Sequence, residues 1–454
     1  MHSAKRLFAA LLCLLSAGVQ AVTLSELGQS ALNNDLSFRA AGKAYEADQA
    51  EAAAGTSHLL PSAGLSYQNT PYNRLTQRAP VVGKRGYSSH SLNLVVTQPL
   101  FDYTAYHQYR SAQIRGTAAE SRLQIQQAEL IDRLVSAYLN LACVLEIQNT
   151  DRLRLALNTT QLTAAQRLLQ LGEGTVTEVE SARTRQRQRQ AQVAETEAES
   201  LNALLILSDL TGLPQLRMQD MPALKAGTFR LPYLNDGDYA AQEQLMVAEH
   251  PEIKAAQQET VLAKAAAEVQ RGAFMPSAQL FAAWSDTRSD SSDTVGQRYR
   301  NLSAGIHISV PLFSGGKDLA GMRKVSAQIQ QAQYEQDALV QTRRRDLARL
   351  YQVFRHSGIQ LAALEQAAAA AQLQVTAAEK GYAAGQNSQP EVAHARDRYY
   401  QAEQELTKAR YDGLLAWFRL HHYSSTPETG LFRQIEGYFT VTERPSHCLP
   451  GSAC

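Results

Sequence analysis

The chain has 454 residues, with 44 Lys and Arg against 43 Asp and Glu, 11 histidines and four cysteines. A balance so close to neutral leaves no electrostatic footprint for nucleic acid, and a mean hydropathy of −0.31 fits a water-soluble chain. Past the first residues no stretch approaches the 18 or more apolar residues of a spanning helix, so a membrane crossing would require a β-barrel.

Residues 1–21 read as a cleaved secretory signal: Lys5 and Arg6 give the basic start, Leu7 to Leu15 the apolar run, and Val19-Gln20-Ala21 the small-residue site. Cys13 lies inside the apolar run, not just after a cleavage site, which argues against a lipid anchor. Removing this segment leaves 42 basic against 43 acidic residues.

An Ala-rich pattern predicts one helix over 25–57. Around Pro61 the pattern changes to period two. Ala63, Leu65 and Tyr67 alternate with Gly64, Ser66 and Gln68, and Leu92, Leu94 and Val96 alternate with Asn93, Val95 and Thr97. These predict strands over about 62–70 and 90–100, joined by a long polar loop. A proline-free helix follows over about 104–170, striped by Ile131, Leu134, Val135, Tyr138, Leu139, Ala142 and Leu145. Cys143 lies in that stripe as a small core residue. Roughly 65 residues at 1.5 Å each make a rod of about 100 Å, a length that favours coiled-coil packing. A turn over 171–177 leads to a helix over 178–208, and a mixed, turn-rich segment runs to residue 238.

The same order then returns: a helix over 239–271, strands over about 277–286 and 301–312, a helix over about 317–380, a turn over 381–390 and a helix over 391–423. Residues 424–454 read as an equatorial segment and tail. In each half the two shorter helices together match the length of the long one, so stacked end to end they would lie alongside it as an antiparallel partner. Cys448 and Cys454 near the C-terminus read equally as a small disulfide loop or as free thiols. His447 beside them is too little for zinc.

Recurring phrases mark the two halves. GEGTVTEVESARTR from Gly172 and GQNSQPEVAHARDR from Gly385 share Gly, Glu-Val and Ala-Arg at an offset of 213. TQPLF at Thr97 returns as SVPLF at Ser309, SAQI at Ser111 returns at Ser326, and LPSAGL at Leu60 returns as MPSAQL at Met275. Four marks in one order predict two internal structural repeats, 22–238 and 239–423, of a unit too long for a solenoid. Gly172 and Gly385 suit helix C-caps. Thr177 and Ser388 are read as N-caps of the following helices, with Pro390 in a first turn.

Strands alone leave two readings open. A soluble sheet with one wet face gives this alternation, and so does a barrel with an apolar face toward lipid and a polar face toward a lumen. HLLPSAGLSY, TQPLFD, LTGLP (Leu210 to Pro214), MPSAQL, VPLFSGG and above all GYAAGQNSQPEVAHARDRYYQAEQELTKARYD resemble the TolC family of outer-membrane channel-tunnels, over nearly the whole chain. The resemblance implies a mainly α fold with a β-barrel part. A homotrimer would share a twelve-stranded transmembrane barrel, four strands from each protomer, above a tunnel of long antiparallel coiled-coil helices. It implies an outer-membrane exit duct that reaches into the periplasm of a Gram-negative cell. The partners implied are outer-membrane lipid, a periplasmic adaptor and an inner-membrane transporter, ABC or proton-driven.

It also implies site residues. By position, Thr177, Glu178 and the aromatic Tyr382 fall on the network that closes the tunnel's inner end, with Asn387 where many members carry arginine. Glu391 falls on an acidic ring facing the lumen, and His394 stands where a second ring aspartate is usual. Glu391 would make an electronegative collar that favours cations, and His394 would add positive charge as the pH falls. The plainer reading of Glu391 is a carboxylate favoured by the start of its helix.

Two other classes are weighed. A periplasmic adaptor would need one helical hairpin interrupting β-rich domains, whereas two hairpins are read here. An exported enzyme would need a catalytic or cofactor constellation; no HExxH, GxSxG or P-loop is present. No enzyme activity, cofactor or metal site is expected. His421 and His422 are adjacent and point to different sides of a helix. The cargo, exported protein or small toxic molecule, stays open, with a mild lean toward protein export.

Overall fold

A computed structural model describes residues 23–78, 82–225, 229–231, 238–289, 297–424 and 429–440. The N-terminal signal-like segment, His447, Cys448 and Cys454 lie outside the described residues. The chain divides into two compact units: residues 43–123 with 252–340, and residues 1–42 with 124–251 and 341–454.

The first of these units carries a four-stranded antiparallel sheet. Its strands are β1 (Ser62–Arg78), β2 (Val82–Asp102), β4 (Ser277–Ser289) and β5 (Gln297–Ser309), in the order β1-β2-β4-β5. The two-residue β3 lies elsewhere and is described below. The strands extend past the alternating stretches. Of residues 71–87, expected as a polar loop, 73–78 and 82–87 are ladder, with Asn73 opposite Tyr87 and Arg78 opposite Val82. Alternation reports which face of a strand is apolar, whereas the backbone of a stretch without it can still be satisfied in the ladder. A register shift falls between Thr70 and Asn73, where Pro71 has no N–H to donate. β5 stops at Ser309 rather than 312, just before Val310-Pro311.

Register puts Leu65, Leu94, Trp284 and Leu302 in one row, with Ala63, Val96, Ala282 and Ala304 in the next. Side chains alternate faces along a strand. One face of the sheet therefore carries Leu65, Tyr67, Leu94, Leu280, Leu302, Ile306 and Ile308, all exposed. The other carries Ser66, Gln68, Asn93, Thr97, Ser285, Ser303 and His307.

Helical segments pack in the same unit. Helix α2 (Leu36–Ala54) lies on α3 (Tyr103–Gln170), with Gln49 Nε2 donating to the Gly116 carbonyl at 2.9 Å. Helix α6 (Pro251–Arg271) lies on α7 (Lys317–Ala383), with Thr260 Oγ1 2.9 Å from Gln336 Oε1. At Gly272 a Cβ would come within 2.1 Å of Thr104 Oγ1, so only glycine permits that approach.

In the second unit, α4 (Val176–Thr211) runs beside α3 and α8 (Gln389–Ser424) beside α7. Arg152 on α3 pairs with Glu197 on α4, and Arg396 on α8 with Glu379 on α7. The short helices meet end to end. Ser30 and Asn34 at the close of α1 (Leu24–Asn34) donate to the carbonyl of Thr211, the last residue of α4. His250, which follows α5 (Asp238–Glu249), packs its ring on Tyr423 near the end of α8. Each helix read as continuous across the other end is broken. Asp35 interrupts 25–57 because its carboxylate accepts the Phe38 N–H and caps a new helix. Pro251 interrupts 239–271 because the residue before a proline is driven out of the helical region.

The core of this unit gathers Leu130, Leu134, Tyr138, Leu141 and Leu145 of α3 with Leu414, Phe418 and Leu420 of α8, all almost fully buried. The short helix α9 (Thr429–Glu436) and a two-residue ribbon, β3 (Ala223–Leu224) with β6 (Phe439–Thr440), close over it. Phe439 meets Tyr138 edge-on at 5.6 Å. Among the described residues no helix is long and apolar enough to cross a membrane.

Candidate functional site

The two turns that the sequence singled out have the same construction. After α3, Gly172 takes φ +77°, and the Leu168 carbonyl accepts from the N–H groups of Glu173 and Gly174 at 2.9 and 3.1 Å. After α7, Gly385 takes φ +73°, and the Gly381 carbonyl accepts from Gln386 and Asn387 at 2.8 and 3.2 Å. A positive φ is available to glycine at no steric cost, and the doubled bonds satisfy a helix-end carbonyl.

The helix starts match as well. The Thr175 N–H donates to Glu178 Oε2 at 2.8 Å, and Thr175 Oγ1 accepts from the Glu178 N–H at 3.2 Å, a reciprocal capping box. At the second turn the Ser388 N–H and hydroxyl donate to Glu391 Oε2 at 2.6 and 3.1 Å. The N-cap of α4 is thus Thr175, not Thr177. An offset of 213 from Ser388 leads to Thr175, and the reciprocal carboxylate must stand three residues on. The backbone bond from the cap, then its side chain, holds both glutamates below the usual carboxylate range. Val179 and Ala182, like Val392 and Ala395, are buried. The repeated Glu-Val-x-x-Ala therefore encodes a capping acid followed by two core contacts one turn apart.

Thr177, Glu178, Tyr382, Glu391 and His394 are solvent-exposed, and Asn387 is half-buried. Among the described residues no hydrogen bond joins Thr177 or Glu178 to Tyr382 or Asn387. Asn387 instead folds back, donating from Nδ2 to the Ala378 carbonyl at 3.3 Å and closing the end of α7. In the single chain each turn is thus closed by its own bonds. His394 lines a small cavity with Arg185, Arg189 and Asp397.

Below the turns lies a polar cluster that sequence reading missed. Arg154 on α3, almost fully buried, donates from Nε to Asp397 Oδ1 of α8 at 3.0 Å and from Nη1 to Gln404 Oε1 at 2.9 Å. Gln404 Nε2 donates to Asp151 at 2.6 Å, and Arg189 of α4 reaches Asp397 Oδ2 at 3.3 Å. Three helices thus share one carboxylate. Within TRQRQRQ at 184–190, only the partner helix distinguishes Arg189 from its neighbours. Among the described residues no group of His, Cys, Asp and Glu could hold a metal.

Long paired helices joined to antiparallel strands that expose an apolar face and leave two open edges are the parts of an outer-membrane channel protomer. Residues 27–213 and 244–424 match the family model described as outer membrane efflux protein, and the chain belongs to that family. It is 31% identical over 444 residues to the alkaline protease secretion protein AprF of Pseudomonas aeruginosa, across 97% of this chain and 92% of that one. It is 28% identical to the proteases secretion protein PrtF of Dickeya chrysanthemi, across 95% and 94%. Outer membrane protein TolC of Vibrio cholerae is 22% identical, across 91% and 92%. The fold is also that of solved channels: CusC aligns with a TM-score of 0.72 at 18% identity over 89% of this chain and 92% of that one, and OprN with 0.72 at 21% over 89% and 91%. The protein is an outer-membrane export channel, one component of a multipart machine. Nothing in the fold or the family supports the adaptor reading.

Proposed function

We propose that this chain is the exit duct for proteins exported by a type I machine, working as a homotrimer docked to a periplasmic adaptor and an inner-membrane transporter. The observation that carries the cargo is the 31% identity, over 97% of this chain, to a relative named for protease secretion; the TolC proteins stand at 22–24%. The trimer follows from the sheet. Four strands cannot close a barrel, and β1 and β5 would leave unpaired backbone in lipid, where each unsatisfied group costs several kcal/mol. Three copies pair those edges into twelve strands, with the apolar face toward lipid, the hairpins outward and the helices in the periplasm. The two halves, each with two strands and a long helix, are internal repeats of one unit.

At the inner end, Thr177 and Glu178 of one turn pair meet Tyr382 and Asn387 of another to form the closed network. Glu391 and His394 line the bore beside it. The exposure of all but Asn387 in the single chain leaves them available for such partners. The test is single-channel conductance of the detergent-extracted protein in a planar bilayer. Small cation-selective openings that widen in Tyr382→Phe support the reading. A protein that extracts without detergent and never inserts overturns it. For the cargo, a strain lacking the chain should retain an exported protease inside the cell and regain secretion with the full chain; unimpaired protease export with impaired drug efflux reverses the assignment.

A further inference from the structure

The small cavity beside His394 has more guanidinium around it than carboxylate. Its walls come from Asn158 and Gln161 of α3, Arg185 and Arg189 of α4, and His394 and Asp397 of α8, and its volume is about 60 Å³. A buried water needs about 10–15 Å³ of such space, so the cavity has room for a few waters or one small ion. Asp397 is already divided between two arginines, with Arg154 Nε 3.0 Å from its Oδ1 and Arg189 Nη2 3.3 Å from its Oδ2. The next acid, Asp151, accepts from Gln404 at 2.6 Å. Glu391, one turn before His394, accepts from Ser388.

Arg185 is left over. Its Nε is buried and has no hydrogen-bond partner, and among the described residues its guanidinium pairs with no carboxylate. Leaving a buried donor unmade is costly. Arg189 stands one helical turn further on, so two like charges share one side of α4, an arrangement that opposes the helix. Water can satisfy Nε, but it cannot offset the charge of Arg154, Arg185 and Arg189 against Asp397 and Asp151. The same excess repels a cation, and among the described residues no acidic, histidine and cysteine group could hold a metal. The remaining walls suit an anion: Gln161 can turn an amide N–H inward, and His394 donates from one ring nitrogen even when neutral. Arg189 and Asp397 are 29% and 33% exposed, so a small ion can reach the site from solvent.

We infer that Arg185 and Arg189, with Gln161 and His394, bind one small inorganic anion such as chloride between α3, α4 and α8. The anion is the counter-charge that Arg185 lacks within the chain, and it ties α4 to α8 beneath the two turns. The site lies within a single chain and stands whether or not the export reading holds.

The experiment follows urea denaturation of the full chain in detergent, with sodium chloride exchanged for sodium gluconate at one ionic strength. Gluconate matches the screening but is too large for the cavity. Chloride should raise the midpoint and then saturate; a Kd of about 50 mM would lower the unfolding constant about fivefold at about 200 mM chloride. Arg185→Gln breaks no contact within the chain, so it should be neutral in gluconate and should abolish the chloride effect. Arg185→Lys should keep part of it as a point charge. Arg187→Gln, an exposed neighbour on α4, should keep all of it. In crystals grown with sodium bromide, an anomalous peak should lie against the Arg185 and Arg189 guanidinium groups. A chloride effect that survives Arg185→Gln overturns the site, as does a parent indifferent to the two salts. So does an Arg185→Gln loss of equal size in both salts, which would put a carboxylate of a neighbouring copy in the anion's place.

Discussion

Arg154 and Asp397 lie 243 residues apart and meet through two contacts, Nε to Oδ1 at 3.0 Å and Nη2 to Oδ1 at 2.9 Å. They tie the long helix of the first half to the last long helix of the chain, immediately under the turns that carry Glu178 and Glu391. Arg189 shares the same carboxylate, so α3, α4 and α8 are held at one point.

Removing Asp397 leaves the Arg154 guanidinium buried without its counter-charge. Asp397→Ala should therefore cost about 3 kcal/mol, the usual penalty for breaking a buried pair on one side. Arg396→Ala, which breaks the more exposed pair with Glu379, should cost under about 1 kcal/mol. Urea unfolding of the detergent-solubilised protein, followed by far-UV circular dichroism, separates the two. Equal midpoints would mean the cluster holds nothing that the exposed pair does not.

The collar and the cap make different demands on Glu391. Glu391→Gln removes the charge yet keeps an oxygen that can accept from the Ser388 N–H, so the start of α8 survives. Cation preference in single-channel recordings should fall toward neutrality with little change in stability. Glu391→Ala should lose the preference and also weaken the start of α8, since nothing then accepts from the Ser388 N–H. A Gln variant as cation-selective as the parent would leave Glu391 as a cap and nothing more.

Much of this was legible from the sequence because it depends on local periodicity. Alternation located all four strands, and the apolar stripe from Ile131 to Leu145 located the core helix. The places where reading failed are those decided by a partner or by a polar backbone. Asp35 and Pro251 break helices through caps that an Ala-rich pattern overrides on paper. Residues 73–78 and 82–87 pair as strand although no alternation marks them. Thr177 precedes Glu178 and reads as a cap, whereas the register with Ser388 points to Thr175, which makes it. Arg154 and Asp397 were invisible, since no spacing in one helix reveals a charge buried against another.

Cys143 tests the core directly. Burial, with Asp412 and Glu146 nearby and Lys408 opposing them, pushes its thiol up to about 12. Almost no thiolate then exists near neutral pH, and the thiolate is the reactive form. A small maleimide at pH 7.5 should leave the Cys143 peptide unmodified in the folded protein and label it fully in denaturant, as read by peptide mass spectrometry. Rapid labelling of the native protein would place the α3–α8 contact open in solution.

His250 should make the helical unit acid-sensitive. It is 8% exposed, and burial, reinforced by Arg343 and His422 and opposed by Asp346, holds its imidazole down to about 4 from 6.5. Tyr423 packs on the ring, and Arg343 Nη1 and the Tyr423 hydroxyl both meet Asp346 Oδ2, so the pocket is already occupied by its own ion pair. The unfolded chain takes up the proton as the pH drops through 6.5, while the folded chain refuses it until about 4. Between those values the unfolded state binds more protons, so stability is complete above 6.5 and declines with falling pH, by on the order of 3 kcal/mol in total. His422, buried and likewise held below its ordinary value, acts in the same direction. The denaturation midpoint of the detergent-solubilised protein should therefore drop between pH 7.5 and 4.5, and His250→Gln should flatten that slope while lowering the midpoint at pH 7.5. If the substitution leaves the slope unchanged, the acid sensitivity originates elsewhere and the buried imidazole is only a packing group.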